Sequence, residues 1–541
     1  MDFNLDTANR WAQLLSDCRM IMPEIWLIIA MCAVILVPFI SRTNAKLPIV
    51  SALAGLVLAG VYCLPLADSG SPDDLFVFGD MLVIDPFSQF FKILLIVFTI
   101  LIVGQWQLTA RHETDVKDVP DYLCLLLGAT VGMALMASAN NLVMIFLAIE
   151  SASLPSFALA GFRKRNRLAT EGSLKYVLFG AAASAIGVYG MSLVYGSTGT
   201  LNLAGIAEAA ARPQVLEAGI VVQTAGFTPL LGIGLMAMFA SIAFKLSAAP
   251  LHFWCPDVFQ GASTEITTFL SVASKGAAVC LLVRILQCFG AYGDTSAFVG
   301  LTSAVGILGG ITATWGNLVA FHQTNIKRLL AYSSIAHAGY MIMGASLCAM
   351  INAPQATQAL AGAILFYLMV YMFMNLGAFT VAALLSQETD SEDIRDYANL
   401  IARSPALAIM LTIFLLSLFG MPGLGGFMAK IFLGMAMFEL NHPAAFVLVA
   451  ILLFNTLISL YYYVRPIYYM VFVPDEQSRP NFAPRLAGLA MLAICALALI
   501  WTGIVPGAAG RLTKDYGTLV VRPSASSTAT TQTAAGENRP Y

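Results

Sequence analysis

Fourteen apolar runs, each long enough to cross a bilayer as a helix, leave few folds open to this chain. They lie near residues 22–40, 47–67, 84–107, 121–139, 141–161, 173–196, 229–250, 262–289, 299–319, 326–349, 358–386, 404–438, 443–472 and 484–505. A helix rises about 1.5 Å per residue, so roughly 20 apolar residues span about 30 Å of hydrocarbon. The runs are uniformly apolar and not alternating, which excludes a membrane β-barrel. Hydrophobic residues are 59% of the chain and charged residues 11%, against about 45–50% and about 25% in soluble domains. Soluble enzymes, nucleic-acid binders and disulfide scaffolds do not have that balance, and a net charge of −2 offers no basic surface for nucleic acid. The expected fold is all-α, polytopic and embedded in a lipid bilayer, with about 14 transmembrane helices.

The nine cysteines are scattered, with no C-x-x-C pair and no Cys/His cluster at metal spacing. No metal site and no disulfide framework are expected. The first twenty residues are polar and include Asp2, Asp6 and Asp17. The run after them is as long as a full span and no A-x-A-like site closes it, so the first helix is expected to stay. Fifteen Lys and Arg fall in one alternate set of loops, from Arg42 and Lys46 through the Arg163–Arg167 cluster to Arg479 and Arg485. The opposite inter-helix loops hold only Arg212, together with Asp68, Asp73, Asp74, Asp80 and Asp85. The positive-inside rule then puts the first set in the cytoplasm and both termini on the outer side. The Ser-, Thr- and Ala-rich stretch after about Arg522 reads as a disordered tail.

A handful of charges lie where charge is costly. Lys92, Lys175, Lys245, Lys275, Arg284 and Lys430 fall inside spans, with Glu150 as the clearest acidic counterpart. Each costs roughly 2.5–3.5 kcal/mol at mid-bilayer on insertion scales and is a functional site by default. Lys92 is near enough to the start of its span to snorkel to the interface, and Arg284 fits a structural counter-ion. Lys175 sits beside Tyr176 and the small-residue run GAAAS, while Lys245, Lys275, Lys430 and Glu150 lie deeper. Lys245 precedes Pro250, and Lys430 follows Pro422, Gly423, Gly425 and Gly426. Proline interrupts a helix, and broken helices at membrane depth occur where protein or a watery cavity satisfies the freed backbone. Two broken helices, one in each half and each with a lysine, fit an inverted-repeat transporter. Burial favours a neutral amine and a nearby carboxylate favours the ammonium. A lysine between those influences changes protonation when its partner moves, which suits proton relay; Glu150 is the natural partner for Lys245 and is within the same argument for Lys175.

The motifs around these residues are ESASLP at Glu150, LKYVLFGAAASAIGVYGMSLVYG at Lys175, FKLSAAPLHFWCPDVFQGA at Lys245, SVASKGAA at Lys275, NIKRLLAYSSIAHAGYM with Lys327 and His337, and GMPGLGGFMAK at Lys430. In this order they resemble the antiporter-like subunits of proton-pumping NADH:quinone oxidoreductase, respiratory complex I, over roughly residues 20–505. The resemblance implies two inverted five-helix repeats, 121–289 and 299–472, each with a broken helix. An N-terminal three-helix region, 1–120, would precede them, with a last helix and tail at 473–541. It implies a Glu150–Lys245 pair, a central Lys275 on a mid-membrane hydrophilic axis, a terminal Lys430, and His337 along the same axis. His252 and Asp257 read as structural groups of the break. A lysine at position 430 fits the N and L branches, and L carries a long lateral helix after the last core span that this sequence does not show, so N is the best fit.

The implied function is proton translocation in the membrane arm, driven by redox chemistry in other subunits. No G-x-G-x-x-G after a strand, Walker loop or cysteine cluster is present, so NADH, FMN, iron–sulfur clusters and quinone are expected in partner subunits. The expected partners are other membrane-arm subunits, notably antiporter-like subunit M and the small K and J subunits, in a bacterial inner membrane. A subunit of a multisubunit sodium/proton antiporter or a membrane-bound hydrogenase shares the core motifs and is the alternative. A sodium site, however, favours carboxylate or carbonyl ligands over a lysine-rich axis.

Overall fold

The computed structural model describes residues 2–40, 46–64, 75–109, 116–211, 216–217, 220–221, 227–291, 296–349, 354–475 and 479–521. The N-terminal part comprises α1 (Asp2–Met20), α2 (Met22–Ile40), α3 (Lys46–Cys63), α4 (Pro86–Thr109), α5 (Val119–Ser138), α6 (Leu142–Ala160), α7 (Arg167–Thr198) and α8 (Leu203–Ala211). The middle holds α9 (Pro229–Leu246), α10 (Trp254–Gly261), α11 (Thr264–Phe269), α12 (Lys275–Gly290), α13 (Ser296–Ala320) and α14 (Ile326–Leu347). There follow α15 (Pro354–Thr389), α16 (Leu400–Arg403), α17 (Pro405–Phe419), α18 (Gly425–Phe438), α19 (Pro443–Phe472), α20 (Leu486–Ile504) and α21 (Pro506–Asp515). Two hairpins of two-residue strands pair Phe76–Val77 with Leu82–Val83 and Leu216–Glu217 with Ile220–Val221.

Twelve helical segments of the described residues are long and apolar enough to cross a membrane. The remaining two expected spans have a different character. The span expected at 326–349 is α14, whose Lys327, Arg328, His337 and serines dilute its apolar character, and the one expected at 404–438 is split into the shorter apolar helices α17 and α18. α1 and α21 are additional, less apolar helices that flank the spans. The expected disordered tail lies outside the described residues, as do Arg42, Asp68, Asp73, Asp74 and Arg212 of the loop asymmetry.

Burial sorts the helices into a centre and a rim. The stretch from Thr264 to Gly290 is fully buried and α15 almost so, whereas α2, α7, α19 and α20 expose much of their surface. That outer surface carries large apolar side chains such as Phe179, Ile233, Leu457 and Leu486. A water-facing monomer rarely shows an apolar expanse of this kind; acyl chains are its natural solvent.

Two span charges, Lys92 and Arg284, are held by acids of the N-terminal part. Lys92 lies 2.6 Å from Glu24 with both side chains buried, so it is paired inside the bundle and does not snorkel. Arg284 forms a two-pronged pair with Asp85 at 3.0 and 2.9 Å and also donates to Ala137 O. Asp85, grouped with the outer loops by its position in sequence, is instead fully buried at the start of α4 and accepts from Ser88 N–H at 2.9 Å. The backbone N–H of Val520, near the described C-terminal end, also reaches Asp85 at 3.3 Å. Paired, hydrogen-bonded charges of this kind are tolerated in a low-dielectric interior, where a lone charge is not.

Candidate functional site: the buried lysines and the two helix breaks

The first break follows α9. Ser247 adopts a left-handed conformation (φ 56°), and its N–H returns to the carbonyls of Ala243 and Phe244. Pro250 lies beyond the helix end, where a residue without an N–H cannot extend the helix. The indole Nε1 of Trp254 donates to Phe244 O at 3.0 Å, and the Trp254 ring stacks on Tyr176 at 4.2 Å. Neutral donors therefore meet the Ala243 and Phe244 carbonyls of this helix end. Lys245 occupies the last turn of α9, 2% exposed, and its Nζ makes no hydrogen bond among the described residues. Glu150 lies on α6. Its own hydrogen bond comes from Ser184 Oγ at 2.5 Å.

The second break separates α17 from α18. Gly420 and Gly423 have φ of 94° and 91°, a region that L side chains avoid, and Pro422 lies between them. The N–H groups of Gly420 and Met421 satisfy the carbonyls of Leu416 and Ser417. The next two carbonyls are taken by Lys430, whose Nζ donates to Leu418 O at 3.1 Å and Phe419 O at 2.6 Å. The ammonium thus sits at the carbonyl end of a half-helix, where the macrodipole favours a cation. Close approach is possible because position 426 is glycine: a Cβ there would lie 1.8 Å from Ser417 O.

Lys275 lies between the breaks, at the junction of α12 with a π-helical turn over Leu270–Ser274. Such turns recur at functional sites because they re-aim side chains within an otherwise regular helix. Lys275 is fully buried, donates to Ser334 Oγ at 2.6 Å, and lies 3.7 Å from Cys255 Sγ and 5.5 Å from the centre of the Phe259 ring.

Helix α14 joins the central lysine to the terminal one. Ser334, His337 and Tyr340 recur at every third residue and so share one helix face. Ser334 bonds Lys275; the His337 ring lies 5.6 Å from Tyr340; and Lys430 Nζ lies 5.5 Å from the Tyr340 ring centre. His337 Nδ1 is 2.6 Å from Tyr367 Oη and Nε2 is 3.2 Å from Tyr463 Oη, which in turn bonds Ser333. Lys275, His337 and Lys430 are thereby brought into one buried polar array. Ser334, Tyr340, Tyr367 and Tyr463 complete it, and sequence reasoning passed over them because such residues are common in helices. Their spacing of three along α14 was the available signal for Ser334 and Tyr340.

Lys175 stands apart from that array. It pairs with Asp257 at 2.7 Å and Glu171 at 2.8 Å, and its side chain is 38% exposed. Its acidic partners are these two and not Glu150. Asp257, on the first turn of α10, also accepts from Arg328 at 2.7 Å and so ties α7, α10 and α14 together. His252 is buried beside the first break and accepts from Trp315 Nε1 at 2.9 Å. Among the described residues, no three His, Cys, Asp or Glu side chains converge as metal ligands.

A family model described as NADH:quinone oxidoreductase/Mrp antiporter, transmembrane, matches residues 139–459. NADH-quinone oxidoreductase subunit N of Anaeromyxobacter sp. (strain Fw109-5) is 38% identical over 479 residues, 86% of this chain and 89% of that protein. Subunit N of Moorella thermoacetica is 40% identical over 433 residues, 78% and 83% of the two chains. A chain of respiratory complex I from Thermus thermophilus superposes with a TM-score of 0.70 at 28% identity, covering 91% of this chain and 99% of that one. A chain of the Mrp complex from Dietzia sp. DQ12-45-1b shares the fold, with a TM-score of 0.77 at 19% identity over 94% and 98% of the two chains. The order of motifs, the two broken helices and these likenesses agree, and the chain belongs to the subunit N family of NADH-quinone oxidoreductase.

Proposed function

We propose that the chain is a proton-translocating membrane-arm subunit of NADH:quinone oxidoreductase that moves protons along a relay of the half-buried Glu150 and the buried Lys245, Lys275, His337 and Lys430. The observation that carries this reading is the continuity of the polar array. Lys275, Ser334, His337, Tyr340 and Lys430 succeed one another through the interior of a lipid-facing bundle. Amines, an imidazole and hydroxyls accept and release protons without electron transfer, so the subunit has no redox step of its own. NADH, FMN, iron–sulfur clusters and quinone belong to partner subunits in this reading, and changes of charge or shape transmitted from them shift the Glu150–Lys245 distance. Lys175 contributes from the edge, where its exchange between Glu171 and Asp257 sets the field at the first break.

The immediate neighbours in this reading are subunits M, K and J, with both termini on the outer face of a bacterial inner membrane. The segments 121–289 and 299–472 act as two inverted half-channels. The test is proton pumping by reconstituted complex carrying Lys245→Ala. A lower ratio of protons pumped to NADH oxidised, with normal assembly, is expected; an unchanged ratio would remove Lys245 from the relay.

A further inference from the structure

A polar cavity lies apart from the relay, on the face that carries most of the loop arginines and lysines. Its volume is about 540 Å³, and its wall includes Arg163, Asn166, Glu265, Gln387 and Glu392. Glu265 is only 2% exposed although it lines this space, so its carboxyl group belongs to the deep wall of the cavity and not to its rim. Lys327 fixes that wall: its Nζ donates to Ala262 O at 2.9 Å and pairs with Glu392 at 2.8 Å.

Between Glu265 and Lys275 the interior remains polar. Thr268 lies one turn beyond Glu265, fully buried, and accepts from Gln105 Nε2 of α4 at 3.1 Å. Ser271, also fully buried, lies within the π-helical turn, which ends at Ser274 beside Lys275. On the adjoining helix α15, Asn375 and Tyr371 are fully buried one turn apart, and Tyr371 neighbours Ser334, the hydrogen-bond partner of Lys275. Gln105 Oε1, Ser274 Oγ, Tyr371 Oη and Asn375 Oδ1 make no hydrogen bond among the described residues. Buried polar atoms are almost always satisfied, and where protein does not do so ordered water does, at two to four polar partners per molecule. A file of such groups leading from a polar cavity to a buried lysine is an arrangement that orders a chain of water.

We propose that this cavity is the proton inlet of the subunit, with Glu265 as its entry group and the Gln105–Thr268–Asn375–Tyr371 column ordering the water that carries protons to Lys275. The inference rests on the relay reading above and supplies it with a source. A proton from bulk water forms an O–H bond on the Glu265 carboxylate, and the resulting acid passes a proton to the adjoining water and regains its charge. At the far end a proton forms the N–H bond that converts a neutral Lys275 amine to the ammonium. No electron moves and no co-reactant is consumed.

The test compares Glu265→Gln, Glu265→Asp and Lys275→Ala in the assembled, reconstituted complex, reading protons pumped for each NADH oxidised. The expected result is a loss in Glu265→Gln as large as in Lys275→Ala, with recovery in Glu265→Asp. Normal pumping by Glu265→Gln beside a defective Lys275→Ala overturns the inlet and leaves the relay standing. Normal pumping by both overturns relay and inlet together. Should Glu265→Gln fail to assemble, Asn375→Leu blocks the column without touching the cavity wall. It is expected to reproduce the loss, and normal pumping in that variant overturns the inlet equally.

Discussion

The two broken helices carry the same residue type and close in opposite ways. At the end of α9 the Ala243 and Phe244 carbonyls are met by backbone N–H groups and by the neutral Trp254 indole, and Lys245 Nζ makes no hydrogen bond among the described residues. At the end of α17 the last two carbonyls are met by Lys430 itself. At the first break the Ala243 and Phe244 carbonyls are therefore held whatever the charge of its lysine. The second is held by its lysine, and the grip weakens when the nitrogen loses its proton, because charge-assisted hydrogen bonds are roughly twice as strong as neutral ones. In the proposed relay, the first arrangement leaves Lys245 free to respond to Glu150. The second couples protonation to the fit between two half-helices.

The largest effect should come from the steric half of that contrast. Gly426→Leu places its Cβ against Ser417 O, and neither backbone can yield without opening the junction of α17 and α18. Overpacking costs about 1–3 kcal/mol and more where backbone is the obstacle, so assembled complex should be scarce on a native gel. Normal yield would mean that the break is looser than its geometry implies. Next comes Lys430→Met, which keeps the side-chain volume and removes both donors from Leu418 O and Phe419 O. Hydrogen bonds to charged groups contribute about 1.5–3 kcal/mol, so the thermal midpoint of the purified complex should fall by several degrees. A midpoint equal to that of the parent complex would show that water replaces the ammonium without loss.

How much of this was legible in the chain depended on separation along it. The spans were readable because a bilayer demands long apolar runs, and Pro250 and Pro422 announced the breaks because proline removes a donor wherever it stands. The site lysines were readable because charge inside an apolar run is rare. The partners were not. Arg284 meets Asp85 from 199 residues away, and local sequence shows only that Asp85 follows an acidic loop. Lys92 looked able to snorkel, and only the packing of α2 against its neighbours puts Glu24 at its nitrogen. Gly420, which ends α17, preceded the run that drew notice, since glycine is common and only its φ of 94° shows the need for it. The column from Glu265 was likewise hidden, because threonine, asparagine and tyrosine carry no charge to betray them in an apolar run.

The smallest effect on stability, and the most discriminating, belongs to Lys245→Met. Lys245 makes no hydrogen bond among the described residues, so the substitution orphans no partner of its nitrogen. Removing a buried charge that lacks a bonded counter-ion relieves a desolvation cost, and replacing such a group by an apolar side chain of similar volume is often neutral or stabilising. The Trp254 bond to Phe244 O remains to close the helix end. The thermal midpoint should therefore stay level or rise, in contrast to the fall in Lys430→Met, while pumping is lost. A fall in midpoint matching that of Lys430→Met would show that Lys245 holds its break together as Lys430 does. The difference between a free and a gripping lysine would then disappear, and with it the division of labour between the two ends of the relay.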